Sequence, residues 1–368
     1  MGLKSGYTTG TCVTIGTKAA LKMIFEQRAV YKESVITPKG VVIETEIYEP
    51  VFSKQQAECG VKKYSGDDPD VTNGIMLYVS VSLNNTNVIK IDGGVGVGRV
   101  TKKGLQQAIG EPAINKVPCQ MIKQVVNELF DFYDYNGGVD VLITVPQGEE
   151  IAKKTFNSRL GIEGGISILG TSGIVEPMSE QAIIDTIKAE LSVKKANEGN
   201  YVMLAPGNYG IDFIKNNFNV DLNRAVKFSN FVGEALDFVR EKEFEGVVVI
   251  GHIGKLVKVA GGIMNTHSKN ADCRMEILAS NTAMYTADTA LIRQILNCTT
   301  TDEAIELIKA EGILDLVMKR IIERIAFYIN NRLDNRVKSE VIIFSNIYGI
   351  LSMTEGAENM LRHFKEAE

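Results

Sequence analysis

The chain has little from which to build a metal framework or a disulfide scaffold. Its five cysteines (Cys12, Cys59, Cys119, Cys273, Cys298) are scattered, odd in number and contain no CxxC pair. Neither a zinc site nor a disulfide framework is indicated, and free thiols in a reducing cytosol are the plain reading. Tryptophan is absent. No apolar run reaches the roughly 18 residues needed to cross a bilayer, and the opening MGLKSGYTTGTC lacks the apolar core of an export signal. A cytoplasmic protein without a membrane partner is expected. Net charge is −5 and there is no long basic run, which argues against nucleic acid as a partner.

What is present is the composition of a globular enzyme: 45% hydrophobic and 23% charged residues in a chain of 368. That length suits one large or two ordinary domains. Glycine is frequent at 34 residues, many of them in turns near polar motifs. The densest such stretch is 247–276, VVVIGHIGKLVKVAGGIMNTHSKNADCRME. Residues 247–250 are an apolar, β-branched run bounded by glycine and read as a buried strand. A tight turn, Gly251-His252-Ile253-Gly254, leads into a cationic segment with helical periodicity. Strand, glycine turn and helix bring a ligand close to bare backbone at the carboxyl edge of an open sheet. Two of the three histidines, His252 and His267, lie in this stretch.

Before it, residues 5–12 (SGYTTGTC) are small and hydroxyl-bearing and feed a helix expected over 13–27, with Thr11 as N-cap. Such a loop either caps the helix or cradles an anion. Residues 35–48 read as a hairpin around Pro38-Lys39-Gly40. The string 64–74 (YSGDDPDVTNG) sets Asp67, Asp68 and Asp70 within four residues. It is a solvated acidic turn or a site for a cation or hydrogen-bond donors. Strands are expected over 75–83 and 87–91, joined at Asn84-Asn85. Residues 92–104 form a glycine loop with Arg99, Lys102 and Lys103. It lacks the P-loop spacing, though its N–H groups and cations suit carboxylates. A helix follows over about 117–130.

Residues 131–138 mark the expected domain boundary, giving 1–135 as a mixed α+β domain with anion- and substrate-binding loops. From 136 to 368 strands alternate with helices: strands over 139–145, 166–169, 201–205, 225–228, 247–250 and 341–344, and helices over 179–195, 211–217, 231–241, 271–296, 301–310 and 314–331. This pattern predicts an α/β, Rossmann-like, mostly parallel sheet with helices on both faces. Nearly every strand ends in small or polar residues, and in that architecture these ends share the ligand-binding edge. From the residues alone the reading stops at an α/β enzyme that binds an anionic ligand.

Several segments together resemble the cobalt-precorrin-5B C(1)-methyltransferase family (CbiD) of the anaerobic cobalamin pathway. They are GYTTGTC (6–12), GDDPDVTNG (66–74), GVGRVTKKGL (96–105), GEPAIN (110–115), ILGTSGIVEPMSE (168–180), PGNYG (206–210), SNFVGEALDF (229–238) and GHIGKLVKVAGGIMNTHS (251–268). They occur in the family's order. Departures are local: VTIGTKAAL replaces an alanine-rich helix, and Lys116 and Cys119 stand where the family tends to carry proline and arginine. The last ninety residues match weakly and are assigned no site.

The resemblance implies methyl transfer from S-adenosylmethionine to a cobalt-bearing, ring-contracted tetrapyrrole, with cobalt-precorrin-6A as product and no metal held by the protein. Alignment of donor and acceptor would supply much of the rate, and His252 or His267 would remove a proton where one must leave. The methyl donor is expected at Gly170, Thr171, Glu176, Gly207, Asn208, Gly210, Gly251 and Gly254. The carboxylate-rich macrocycle is expected at Thr8, Thr9, Thr11, Asp67, Asp68, Asp70, Arg99, Lys102, Lys255 and Asn265. A homo-oligomer and a transient handover to other enzymes of the pathway stay open. The alternatives are a non-catalytic corrinoid carrier, which needs the anion-binding loops but no donor pocket, and a phosphotransferase built on GGVGVGR.

Overall fold

The computed structural model describes residues 2–208, 215 and 217–365. The chain divides into two compact units between Glu180 and Gln181.

The first unit is built on a five-stranded sheet in the order Tyr48–Phe52, Gln56–Lys62, Met76–Asn84, Gly138–Thr144, Ile89–Gly93. Only the last pair is parallel. Met76–Asn84 alternates between buried and half-buried residues, the signature of a sheet covered on one face. The cover is the helix Thr9–Glu26, backed by Lys116–Phe132. Val13, Ile15, Leu21 and Met23 pack with Leu77, Val79, Val141 and Ile143 in one core. Gly16 sits where an added Cβ would come within 2.8 Å of Val79, so glycine lets the helix approach the sheet.

Gly138–Thr144 is thus interior to the first sheet. The boundary expected at 135/136 falls within this unit. A β-branched buried run reads the same in a mixed sheet as in a parallel one, so periodicity gave no warning. For the same reason the strands around Asn84-Asn85 are not a hairpin, because Gly138–Thr144 inserts between them. The expected 35–48 hairpin is the pair Lys32–Ile36 and Val42–Glu46. The strand expected at 166–169 shrinks to Gly165–Ile166 on Gly96–Val97.

The second unit has a five-stranded sheet in the order Val226–Lys227, Tyr201–Ala205, Gly246–His252, Lys338–Ser345, Gly349–Met353. The first four strands are parallel and the last is antiparallel. Numbered in chain order, the strands lie in the sheet as 2-1-3-4-5. The central run Val247, Val248, Val249 and Ile250 is wholly buried. Val247 and Val249 face a core shared with the helices Glu180–Glu198, Val232–Glu241, Ile253–Ala260 and Leu314–Arg332. Val248 and Ile250 face a smaller cluster with Val220, Ala225, Met360 and Phe364. Both faces are covered, but the long helices crowd one of them. The helix expected over 271–296 is two helices, Arg274–Thr282 and Thr289–Asn297; Asp288 caps the second by accepting from the N–H groups of Ala290 and Leu291. The segment expected as a helix at 211–217 lies largely outside the described residues. Among the described residues no helix is long and apolar enough to cross a membrane.

Candidate functional site

In the second unit the parallel strands deliver their carboxyl ends to one edge. The chain runs from Tyr201–Ala205 outward to Val226–Lys227, then back across to Gly246–His252. The switch point of such a sheet is where that direction reverses, at the strand ends that carry residues 206–208 and 251–252. At Gly207 an added Cβ would meet nothing within 4 Å among the described residues, and Asn208 is exposed. Gly251 is not open. Its Cβ would meet Leu256 and the Pro206 ring at 3.0 Å, so this glycine serves packing and offers no bare backbone to a cofactor. Gly210 lies outside the described residues.

The helix Ile253–Ala260 starts directly at the strand end. His252 is its N-cap, and Nδ1 accepts the Gly254 N–H at 3.1 Å. The neutral ring therefore carries its proton on Nε2. Burial pushes the imidazole pKa down, with Asp302 opposing. His267 is exposed, and its Nδ1 accepts the Lys269 N–H at 3.0 Å. In this geometry both histidines have Nδ1 engaged by a local backbone N–H. Asn265 is likewise local, its Oδ1 accepting the His267 N–H at 3.1 Å.

A cleft of about 360 Å³ lies beside this helix, lined by Asn230, Gly254, Lys255, Lys258, Thr266, His267, Ser268 and Arg274. Helical periodicity puts Lys255 and Lys258 on one face. Lys258 is almost fully buried; its ammonium donates to the carbonyls of Thr266 (3.1 Å) and Ala271 (2.9 Å) and lies 3.6 Å from Asp272. Arg274 binds both carboxylate oxygens of Asp272, at 2.5 and 2.9 Å. That hydrogen bonding, against some burial and with help from Lys258, holds Asp272 below the usual carboxylate range. Among the described residues Lys255 donates to two neutral oxygens, the Ser229 carbonyl at 3.1 Å and Asn230 Oδ1 at 2.8 Å. Burial, then repulsion from Lys258, pushes its pKa down. Among the described residues Lys258 and Arg274 thus share Asp272 while Lys255 lines the same cleft with neutral partners, an arrangement that attracts an anion.

Most candidate residues of the first unit are engaged by other groups of that unit. The helix Thr9–Glu26 begins two residues before the expected N-cap: Thr8 is the cap and accepts the Thr11 N–H. Thr11 donates to the Gly173 carbonyl at 2.7 Å, while Thr9 accepts the Leu169 N–H at 2.9 Å and donates to its carbonyl at 3.2 Å. All three threonines are buried. They fasten the helix to the loop 169–173 and form no anion cradle. Gly170, at φ +131°, gives Thr8 its room, since a Cβ would lie 2.3 Å from the Thr8 hydroxyl. Thr171 is exposed, and Glu176 pairs with Lys39. Gly170, Thr171 and Glu176 thus belong to the first unit, whereas Gly207 and Gly251 belong to the second.

The acidic turn is also self-contained. Asp67 accepts the Lys4 N–H at 2.7 Å and Asp68 the Met178 N–H at 2.9 Å. Asp70 meets the buried Lys63 ammonium at 2.5 Å and also accepts from Ser65 and Thr72. Burial alone would raise the Asp70 pKa, but Lys63 and these donors hold it below the usual range. Arg99 pairs with Asp92 at 2.8 Å and donates to the Gly93 carbonyl at 2.5 Å. Lys102 is exposed, with its stem laid over Gly161. A larger cleft of about 640 Å³ in this unit is walled by Tyr7, Tyr48, Tyr64, Lys32, Lys62, Lys63, Glu44 and Glu46 among others. Sequence reasoning missed it, as it missed Asn230. The signal was weak: single tyrosines beside GYTTGTC and GDDPD, and an asparagine after a short strand.

A family model described as CbiD matches residues 1–177, and one described as CbiD, C-terminal domain matches residues 265–355. The second covers most of the stretch whose sequence likeness was weak. A protein named cobalt-precorrin-5B C(1)-methyltransferase from Ruminiclostridium cellulolyticum is 45% identical over 372 residues, spanning 100% of this chain and 97% of its own. One of the same name from Alkaliphilus metalliredigens is 42% identical over 363 residues, spanning 99% of this chain and 95% of its own. A solved cobalamin biosynthesis protein (cbiD) from Archaeoglobus fulgidus is similar at 30% identity and a TM-score of 0.39, covering 73% of this chain and 83% of that one. With that identity sustained from end to end, the chain belongs to the CbiD family.

Proposed function

We propose that this protein methylates cobalt-precorrin-5B at C1, with S-adenosylmethionine as donor and cobalt-precorrin-6A as product. The observation that carries the reading is the end-to-end identity with two proteins named for that reaction. The cationic cleft at the strand edge supports it, because the acceptor macrocycle carries carboxylate side chains.

S-adenosylmethionine, when bound, supplies an electrophilic methyl group on a sulfonium. Gly207 and Asn208 lie at the sheet's switch point, where an added Cβ at Gly207 would meet nothing among the described residues, and they are the backbone offered to such a group. Lys255 has no carboxylate hydrogen-bonded to its ammonium among the described residues, and it takes one carboxylate arm of the macrocycle. Lys258 and Arg274 stay with Asp272 and keep the cleft wall positive. Holding the macrocycle by its arm fixes the ring carbon in line with the methyl group, and that alignment is the main contribution the protein makes to the rate. His252 offers Nε2–H as a donor at the same edge.

Calorimetric titration tests the placement. S-adenosylhomocysteine is expected to bind the wild-type protein and the Lys255→Met variant alike, and to lose affinity in Gly207→Val. Equal binding to all three proteins would move the donor site away from the strand edge.

A further inference from the structure

Lys255 is held in an unusual way. Among the described residues its ammonium has two hydrogen-bond partners, the Ser229 carbonyl and Asn230 Oδ1, and both are uncharged. An ammonium only donates, so the oxygen of the Asn230 amide must be the atom that faces it. The socket is a strained turn: Ser229 sits at φ +54° without being glycine, a conformation that costs energy and persists where the surroundings enforce it. Asn230 also anchors the opposite wall, its carbonyl accepting the Thr266 N–H at 2.9 Å and its Oδ1 the Thr266 hydroxyl at 3.4 Å. The charged and titratable groups around Lys255 are Lys258 on its own helix, Asp272 and Arg274 from the segment that follows, and His267 from the loop. Asp272, the carboxylate in this set among the described residues, is already bound by Arg274 and Lys258.

We propose that Asn230 is a positioning and specificity-determining residue, which aims Lys255 into the cleft without neutralising it and so makes the cleft a subsite for a substrate carboxylate. An aspartate of the same shape would hold the lysine as well and would cancel its charge. The inference rests on the reading of the cleft as the macrocycle's carboxylate site. The lowered Lys255 pKa agrees with it, since an ammonium beside a carboxylate would shift the other way.

The test compares wild type with Asn230→Asp and Asn230→Ser, two small polar replacements, after thermal melts show which variants are folded. Lys255 is followed by NMR after ¹³C reductive methylation, and uroporphyrin serves as the carboxylate-rich tetrapyrrole probe. Asn230→Asp is expected to raise the Lys255 titration midpoint by about one unit or more and to weaken uroporphyrin binding tenfold or more. Asn230→Ser, which keeps a neutral oxygen, is expected to leave the midpoint near wild type and retain most of the affinity. An unchanged midpoint in a folded Asn230→Asp protein overturns the proposed contact, whatever the ligand. A raised midpoint with undiminished uroporphyrin affinity overturns the role in specificity. A raised midpoint in a protein whose wild type does not bind uroporphyrin supports the contact and counts instead against the tetrapyrrole reading of the cleft.

Discussion

Replacing Asp70 by asparagine separates the two readings of the acidic turn. The Lys63 side chain is 2% exposed and its ammonium has Ser65 Oγ and Asp70 Oδ2 as partners, both at 2.5 Å. Asp70→Asn keeps the shape and removes the counter-charge, leaving a buried ammonium uncompensated. Breaking a buried pair from one side costs roughly 3–5 kcal/mol. The Asp70 side chain is 23% exposed, so water relieves part of this and about 3 kcal/mol is the better figure. For a unit of this size that lowers the melting temperature by about 6–12 °C. Scanning calorimetry reads the shift, and the double variant Lys63→Met/Asp70→Asn is expected to recover much of it. The pH dependence carries the same signature. The folded Asp70 pKa is depressed, so its contribution is complete above the unfolded value of about 3.9 and is lost as pH falls through the folded value. Asp70→Asn removes that acid limb. A variant that melts within about 2 °C of wild type would refute the structural account, and a simultaneous loss of ligand binding would restore the turn as a binding site.

The other predictions are briefer. His252→Asn keeps a good helix cap and is expected to melt near wild type, whereas His252→Ala loses about 1 kcal/mol. Because burial lowers the folded pKa of His252, its contribution is full above about pH 6.5 and fades below it, a dependence that denaturant titrations should find missing in His252→Asn. Lys255→Met should weaken a carboxylate-rich tetrapyrrole tenfold or more, with the loss shrinking at high salt. Gly170→Ala puts a methyl group onto Thr8 at a positive φ, and a cost of about 2 kcal/mol or more should appear in unfolding curves.

The stretch chosen from the sequence, 247–276, supplies the central strand and most of the cationic cleft, because β-branched runs, glycine turns and lysines at helical spacing are local signals. The partners that decide each residue's role were less legible. Thr9 and Thr11 look like anion ligands until Leu169 and Gly173 are seen to take their hydroxyls, from some 160 residues away. Lys63, by contrast, precedes Asp70 by only seven positions, and its proximity could have been weighed. Asn230 carried only a weak signal, an asparagine after a short strand, since what makes it interesting is the lysine it faces from another element. The split near residue 135 failed because burial alone does not say which sheet a strand joins.

The central claim is methyl transfer, and its most direct test is incubation of the pure protein with cobalt-precorrin-5B and S-adenosylmethionine bearing a deuterated methyl group. The account predicts a tetrapyrrole product carrying one labelled methyl at C1, formed with S-adenosylhomocysteine in equal amount, together with a loss of rate in Lys255→Met. A tetrapyrrole that binds tightly and is recovered unlabelled would contradict it and leave a carrier in its place.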